Sequence, residues 1–386
     1  MTQNVNDRRT ERQLLALVRA ALWDDAAAGS EAADEGVDWD AVDDAAARQT
    51  VEATAAKGAL SLPEGMRPAK ERIHRHLAYM VRNSRTHSLV DSCLGEAAAR
   101  LRDAGAEPVL LKGQAYARFY PAPTLRQCGD IDLYIGEENY RLACDTARRQ
   151  GWEECEGENY DPQAKHFGCY LRGVRLELHR VAAQLPSAGA DRRFRAWSRE
   201  ELAGRSRLCD IGGAEVRVPS PLFDAVFVFL HLYTHFIEGG VGLRQLCDWV
   251  MILHAHAGAI DREELRARLT DFGLMRAWLM FAPIAVEHLG LPEEEFPFYT
   301  TRYRGKAEKI LALVMRDGNF GRYTPGRTAR PEGYWRGKLH TCVNYPRRLV
   351  TLLPIAPGRI AAAFGNFLYK GTRHVIADKL HGRRKG

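Results

Sequence analysis

The stretch GDIDLYI, residues 129–135, places two aspartates one residue apart in an otherwise apolar run. Side chains alternate between the faces of a β-strand, so Asp130 and Asp132 are predicted to share one face while their apolar neighbours point the other way. Two ionised carboxylates held side by side repel each other and lose hydration in a partly dry site. The pattern therefore predicts a bound cation, and Mg²⁺ is a hard divalent ion that favours carboxylate oxygens.

The segment before the aspartates predicts a phosphate-binding turn. The strand PVLLK ends at Lys112, Gly113 lets the backbone turn tightly, and a short helix beginning near Gln114 would present free N–H groups to an anion. Lys112 would add a positive charge, and the guanidinium of Arg126 could donate two parallel hydrogen bonds to a phosphate. A strand, a glycine and a helix in this order also occur in many α/β connections that hold no anion, so the turn alone does not decide the function.

A third carboxylate follows in HFGCYLRGVRLELHR, residues 166–180. Strand alternation places Glu177 and His179 on one face, and the same alternation is typical of any half-exposed strand. Three carboxylates can hold two Mg²⁺ ions roughly 3.5 to 4 Å apart, an arrangement used for in-line attack at phosphorus. His179 and His166 could ligate a metal, bind phosphate or form only structural hydrogen bonds.

Two pairs of polar residues lie one helical turn apart after the strands. His231 and His235 have the spacing of metal ligands, but the HExxH pattern of zinc proteases is absent. We therefore expect this histidine pair to line a domain interface near the substrate. Arg244 and Asp248 have the spacing of a helix salt bridge, and a position facing the cleft is the alternative.

The order of patterns predicts an α+β fold with a small mixed β-sheet core flanked by helical regions. Residues 1–85 read as a helical N-terminal region, and from Ala106 short strand-like runs alternate with glycine and proline. Ser220 and Pro221 predict a helix start, and the rest of the chain is mostly helical in pattern. The expected division is a helical region over 1–85, a core over 86–218, and a helical C-terminal domain with a basic tail over 219–386.

Composition predicts an ordinary globular protein of the cytoplasm. The chain has 386 residues, 46% hydrophobic and 27% charged. No stretch approaches the roughly 18 to 20 uncharged apolar residues of a membrane helix, and the N-terminus lacks the apolar run of a signal peptide. The eight cysteines show no CxxC pair, which indicates reduced thiols rather than a zinc knuckle or a disulfide framework.

Charge is polarised along the chain. Nine acidic residues and no basic one lie between Asp24 and Asp44, whereas nine Lys or Arg and the single acid Asp378 lie from Thr341 to the end. The basic C-terminal tail could touch a membrane surface or nucleic acid, or it could pack on the acidic N-terminal stretch. No stripe of basic and aromatic residues is evident near the acidic strands, so the sequence carries no strong nucleic-acid signature there.

Several of these motifs, taken in order, resemble a known family. LLKG, an arginine shortly before DIDLYI, KHFGCYL leading into LELHR, FLHLYTH and GLRQLCDW are similar to the uncharacterised bacterial nucleotidyltransferase family NTP_transf_5. That family falls within the superfamily with the DNA polymerase β type of catalytic core. The resemblance covers about residues 85–260.

The resemblance implies a role for each matching residue. Asp130 and Asp132 match the metal-binding pair, Glu177 matches the carboxylate that orients or deprotonates the attacking group, and Gly113 matches the phosphate-loop glycine. Many superfamily members have Gly-Ser in this loop, where this chain has Lys-Gly-Gln. The expected nucleotide-binding residues are Lys112, Gly113, Gln114, Arg126, His166 and His179, and the expected cleft residues are His231, His235, Arg244 and Asp248.

The resemblance also implies a reaction. The chain is expected to transfer a nucleoside monophosphate from an NTP to a hydroxyl of an unidentified acceptor, with two Mg²⁺ ions as cofactors and Mn²⁺ as an alternative ion. The acceptor could be a small molecule or a protein, and an RNA end is a further alternative. A catalytically inactive module that binds a nucleotide or a partner is the competing interpretation.

Overall fold

The computed structural model describes residues 2–33, 36–156, 160–324, 346, 348–353, 355, 360 and 365. Over these residues the chain is mostly helical and contains one seven-stranded mixed sheet. The predicted α+β class is therefore confirmed.

Five helices precede the sheet. They are α1 (Thr2–Leu22), α2 (Ala26–Ala33), α3 (Trp39–Gln49), α4 (Glu52–Ser61) and α5 (Lys70–Asp103). The apolar positions of α1 recur at helical spacing, and Leu14, Val18 and Leu22 are buried. Helix α5 runs without a break through residue 85, so the chain crosses the expected boundary between the first two regions inside a helix. The division into three domains stays a prediction.

The sheet is built from strands on both sides of the aspartate strand. The elements in chain order are β1 (Val109–Leu110), α6 (Gln114–Ala117), β2 (Ile131–Tyr134), α7 (Tyr140–Arg149), β3 (Glu153–Glu154), β4 (His166–Leu171), β5 (Val174–His179), α8 (Ala188–Gly204), β6 (Arg207–Ile211) and β7 (Ala214–Val218). The strand order is β3-β4-β5-β2-β1-β7-β6. Strand β2 runs parallel to β5 and antiparallel to β1, and β4–β5 and β6–β7 are antiparallel pairs joined by short turns. The sequence SRLCDI and AEVRVP around Gly212 and Gly213 predicts the β6–β7 hairpin, and the pattern of residues 137–152 predicts a helix before the HFGCYL strand; both are present.

The helices after the sheet enclose an aromatic core. They are α9 (Pro221–Glu238), α10 (Leu243–Ala255), α11 (Arg262–Asp271), α12 (Met275–Pro283) and α13 (Arg304–Asp317), with a π-helical turn at Ile284–His288 directly after α12. The hydroxyl of Ser220 accepts a hydrogen bond from the backbone N–H of Phe223, so the predicted start of α9 is confirmed. Phe229, Trp249 and Trp278 are fully buried and their ring centroids lie about 5 Å apart.

Two sequence expectations concern the surface and the C-terminus. Among the described residues, no single helix has the length and apolarity to cross a membrane; only Arg262–Asp271 combined with Met275–His288, across a bend of 116°, meets those two criteria. Most of the basic tail, residues 341–386, lies outside the described residues. One described residue of that tail, Arg348, donates to the carbonyl of Ile237 at 3.0 Å and contacts Asp317 at 3.1 Å.

Candidate functional site

Strand pairing brings the three predicted acids together. The parallel register of β2 and β5 sets Asp132 directly opposite Glu177, and Asp130 lies immediately before β2. One carboxylate oxygen from each of the three residues lies within 4.8 Å of the other two. The spacing of acids in the sequence predicted a shared face, and the register places the third acid beside the pair.

Asp132 is the most deeply buried of the three acids, at 1% exposure. Its Oδ1 lies 2.9 Å from both Lys112 Nζ and His179 Nε2, whereas Oδ2 has no hydrogen-bond partner among the described residues. Burial alone would raise the pKa of Asp132, but Lys112 and His179 outweigh it and hold that pKa well below its ordinary value. Asp132 is therefore ionised at neutral pH, with one oxygen directed at no donor.

The pKa values of the other two acids shift in opposite directions, although the charge of Asp132 acts to raise both. The negative charge of Asp132, followed by burial, raises the pKa of Asp130. Burial would raise the pKa of Glu177 as well, but the hydrogen bond with His179 leads the contributions that lower it. The raised pKa of Asp130 shows that the cluster repels additional negative charge, and a cation between the acids would relieve that repulsion.

These residues fit a hard divalent cation. One oxygen from each of the three carboxylates lies within 4.8 Å of the other two, and Mg²⁺ takes oxygen ligands of this kind. The buried Oδ2 of Asp132 is the decisive observation, because a buried carboxylate oxygen without a donor is unfavourable unless a cation or water contacts it.

Lys112 links the acids to the predicted histidine pair. Its Nζ lies 3.2 Å from His231 Nε2, and His231 Nε2 lies 3.1 Å from His235 Nε2. Burial, followed by the charge of Lys112, lowers the pKa of His231 well below its ordinary value and lowers the pKa of His235 to about 4. Both imidazoles are thus neutral at neutral pH, and His231 can accept a hydrogen bond from the Lys112 ammonium.

Lys165 is a site residue that the sequence analysis did not select. It is half-buried immediately before β4, and burial followed by the nearby Lys112 charge lowers the pKa of Lys165. Asp132 and Glu177 act in the opposite direction on the same group. Lys165 is the first letter of the motif KHFGCYL, but a lone lysine before a strand has no spacing that distinguishes it from a surface lysine.

Arg126 and Asp248 form a buried ion pair away from the acids. Arg126 Nε donates to Asp248 Oδ1 at 2.8 Å and Nη2 donates to Oδ2 at 3.0 Å, while the Tyr120 hydroxyl donates to Oδ1 at 2.8 Å. The expected salt bridge between Arg244 and Asp248 is therefore wrong. The planar guanidinium of Arg126 instead donates two hydrogen bonds to the Asp248 carboxylate. Arg244 instead donates to the carbonyl of Gln127 at 3.0 Å.

The turn after β1 has the predicted shape, but the Gln114 side chain that follows it is hydrogen-bonded to other residues of the protein. Gly113 has φ +65°, and a Cβ there would lie 3.2 Å from the carbonyl oxygen of Asp130, so glycine permits the close approach of the two segments. The Gln114 side chain is buried, bonds to Asp91 and His87, and accepts from Cys128 Sγ at 3.0 Å. The nucleotide-binding roles of Gln114 and Arg126 stay predictions, since both side chains already have protein partners.

Carboxylates on adjacent strands that can hold metal ions are the arrangement expected of enzymes that transfer phosphoryl or nucleotidyl groups. The family model NTP_transf_5, described as an uncharacterised nucleotidyltransferase, matches residues 35–290. The chain belongs to this nucleotidyltransferase family. No curated protein and no solved structure matches the chain.

Proposed function

We propose that the protein is a Mg²⁺-dependent nucleotidyltransferase that moves a nucleoside monophosphate from an NTP to a hydroxyl of an acceptor and releases pyrophosphate. The observation that carries the proposal is the cluster of Asp130, Asp132 and Glu177, whose oxygens lie within 4.8 Å of one another and include the unpaired Oδ2 of Asp132. Family membership supports transferase activity of this class.

The chain's own residues have distinct roles in this reaction. The acceptor oxygen bonds to the α-phosphorus, the bond from that phosphorus to the pyrophosphate oxygen breaks, and the hydroxyl proton is lost. Asp130 and Asp132 would hold Mg²⁺ on the triphosphate, and Glu177 would orient or deprotonate the hydroxyl. When bound, Mg²⁺ neutralises phosphate charge and lowers the pKa of the attacking hydroxyl. Lys112 would neutralise phosphate charge from the opposite side.

Two features support placing the triphosphate beside Lys112. Burial alone would lower the pKa of Lys112, but the Asp132 charge raises it, so this buried ammonium is charged. The charge of Lys112 also lowers the pKa of Lys165, so the two ammonium groups repel each other. Asp132 and Glu177 offset part of this repulsion, and a phosphate bound between the two ammonium groups would offset more of it. Gly113 lets the backbone approach the same place.

The acceptor is a small molecule or a protein side chain in this proposal. A catalytically inactive module that binds nucleotide and a transferase that acts on an RNA end are the competing functions. The first predicts nucleotide binding without turnover, and the second predicts label on RNA.

A transfer assay tests the proposal directly. Purified protein with Mg²⁺ or Mn²⁺ receives each α-labelled NTP together with cell extract, and pyrophosphate release is followed. We expect label to move to an acceptor only with the unaltered protein and not with the Asp130→Asn, Asp132→Asn double variant. If NTP binds but is never consumed, the inactive-module interpretation replaces the enzymatic one.

The assignment of Lys165 to the triphosphate gives a separate prediction. Lys165→Met should weaken binding of a non-hydrolysable NTP by about tenfold to a hundredfold, because one charge-assisted hydrogen bond contributes about 1.5–3 kcal/mol. Isothermal titration calorimetry with Mg²⁺ measures the change. Lys309→Met, an exposed lysine on α13, is the matched control. Equal affinity of the two variants would remove Lys165 from the nucleotide site.

A further inference from the structure

Two histidines lie beside Glu177: His179 follows it on β5, and His166 lies on β4, the neighbour of β5 on the side away from the aspartate strand. In the antiparallel register of β4 and β5, His166 lies directly across from His179, and Gly168 lies across from Glu177. His179 Nε2 is 3.3 Å and His166 Nδ1 is 3.7 Å from the same atom, Glu177 Oε2. Because Gly168 has no side chain, nothing from that position of β4 stands between the imidazoles and the carboxylate.

These separations match ligands of one ion better than hydrogen bonds. An N–H···O bond usually spans about 2.7–3.2 Å between heavy atoms. The His166 separation exceeds that range, and the His179 separation is at its long end because His179 Nε2 lies closer, at 2.9 Å, to Asp132 Oδ1. A tetrahedral ion with bonds of about 2.0–2.2 Å holds neighbouring ligand atoms about 3.3–3.6 Å apart. The ligand atoms of His166, Glu177 and His179 all lie within 4.8 Å of one another.

The contacts of Glu177 and His179 with neighbouring groups orient their ligand atoms toward one another. Arg175 Nη2 donates to Glu177 Oε1 at 3.2 Å, which orients the carboxylate and leaves Oε2 toward the imidazoles. His179 is 1% exposed, and its Nδ1 has no hydrogen-bond partner among the described residues. His179 Nε2 lies 2.9 Å from Asp132 Oδ1 and 3.3 Å from Glu177 Oε2, so an ion bound at Nε2 would replace the hydrogen bond between this imidazole and the carboxylates.

We propose that His166, Glu177 and His179 form a binding site for a borderline divalent transition-metal ion of the Zn²⁺ type. The site shares Glu177 with the carboxylate cluster but differs from it in donor chemistry. Imidazole nitrogen ligands favour Zn²⁺ and Co²⁺, whereas Mg²⁺ prefers oxygen ligands and retains its water. The proposal goes beyond nucleotidyl transfer, because the site binds its ion whether or not the protein turns over an NTP.

Cobalt spectroscopy tests the site without reference to activity. Full-length protein is freed of metal with a chelator and titrated with Co²⁺ in the presence of excess Mg²⁺, which occupies oxygen-only sites. We expect intense visible ligand-field bands that saturate near one equivalent and are bleached by Zn²⁺. Electron spin-echo spectroscopy of protein loaded with one equivalent of Cu²⁺, again in excess Mg²⁺, should also show coupling to imidazole ¹⁴N.

Three variants identify the ligands. His166→Gln should weaken Co²⁺ binding at least tenfold and remove one nitrogen coupling. His166 is half-buried at the start of β4, so a thermal unfolding curve checks that the variant is folded. His288→Gln, which alters a partly exposed histidine bound to Glu308, should leave the spectrum unchanged. Asp130→Asn should abolish nucleotidyl transfer while the cobalt bands persist, which separates this site from the proposed reaction.

Specific results would overturn the proposal. Weak octahedral cobalt bands, no ¹⁴N coupling, or equal Co²⁺ affinity for the unaltered protein and a folded His166→Gln variant would each show that the two imidazoles are not ligands. Loss of the cobalt bands in Asp130→Asn would assign the ion to the carboxylate cluster instead. Failure of the transfer assay alone would leave the proposed metal site standing.

Discussion

Asp132→Asn is expected to lower kcat for nucleotidyl transfer by about a thousandfold, the equivalent of about 4 kcal/mol of transition-state stabilisation. Asparagine keeps the shape of the side chain but removes the charge that would hold Mg²⁺. Asp132 is the member of the cluster with a buried oxygen that has no hydrogen-bond partner among the described residues. The assay is pyrophosphate release at saturating NTP and Mg²⁺.

The control must separate lost metal binding from lost folding. Asp132 is also the nearest counter-charge of the buried Lys112 and bonds to His179, so its replacement removes structural contacts as well. Circular dichroism and thermal unfolding would establish that the variant is folded at the assay temperature. Asp103→Asn, at the exposed end of α5, should retain full activity. A folded Asp132→Asn variant with kcat within threefold of the unaltered protein would show that the cluster does not hold the catalytic ion.

The strands and the shared face of the aspartates were predictable because they depend on local rules. Alternation along GDIDLYI sets Asp130 and Asp132 on one side of a strand, and glycines mark the turns of both hairpins. The adjacency of Asp132 and Glu177 depends on which strands pair and in which register. Neither property follows from the spacing of those residues, so the cluster needed the folded chain or the family resemblance to identify it.

The errors of the sequence interpretation also have a physical cause. The spacing of Arg244 and Asp248 predicts a weak helix pair, but Arg126, far away in sequence, reaches the same carboxylate in the folded chain. A buried bidentate bond outweighs a single i,i+4 contact worth a few tenths of a kcal/mol. Lys165 was missed for a related reason, since its importance comes from four charged neighbours that are distant in sequence.

Arg126→Met is expected to reduce the free energy of unfolding by about 3–5 kcal/mol. The side chains of Arg126 and Asp248 are 7% and 4% exposed, and removing the guanidinium leaves a buried carboxylate with the Tyr120 hydroxyl as its remaining side-chain donor in the described structure. Burial alone would lower the pKa of Arg126, but Asp248 outweighs it and raises that pKa, so the guanidinium is charged over the physiological range. Urea denaturation measures the loss.

A double-mutant cycle tests whether Arg126 and Asp248 stabilise the protein as a pair or independently of each other. Asp248→Asn should lower the free energy of unfolding by a comparable amount. The double variant should lose less stability than the sum of the two single losses, because neither partner is then left as a buried unpaired charge. Arg141→Met, which breaks an exposed contact of 3.8 Å with Asp145, should change stability by less than about 0.5 kcal/mol. Strictly additive losses at Arg126 and Asp248 would contradict the coupling that their geometry implies.

The same variant decides between a structural and a phosphate-binding role for Arg126. The Arg126 carbonyl accepts hydrogen bonds from His87 at 2.6 Å and Asn83 at 3.3 Å, so the segment before β2 is held by α5 as well as by Asp248 on α10. If Arg126 is structural, folded Arg126→Met should bind a non-hydrolysable NTP within threefold of the unaltered affinity at low temperature. A loss of tenfold or more, with Asp248→Asn unaffected, would instead show that the guanidinium leaves Asp248 to contact phosphate.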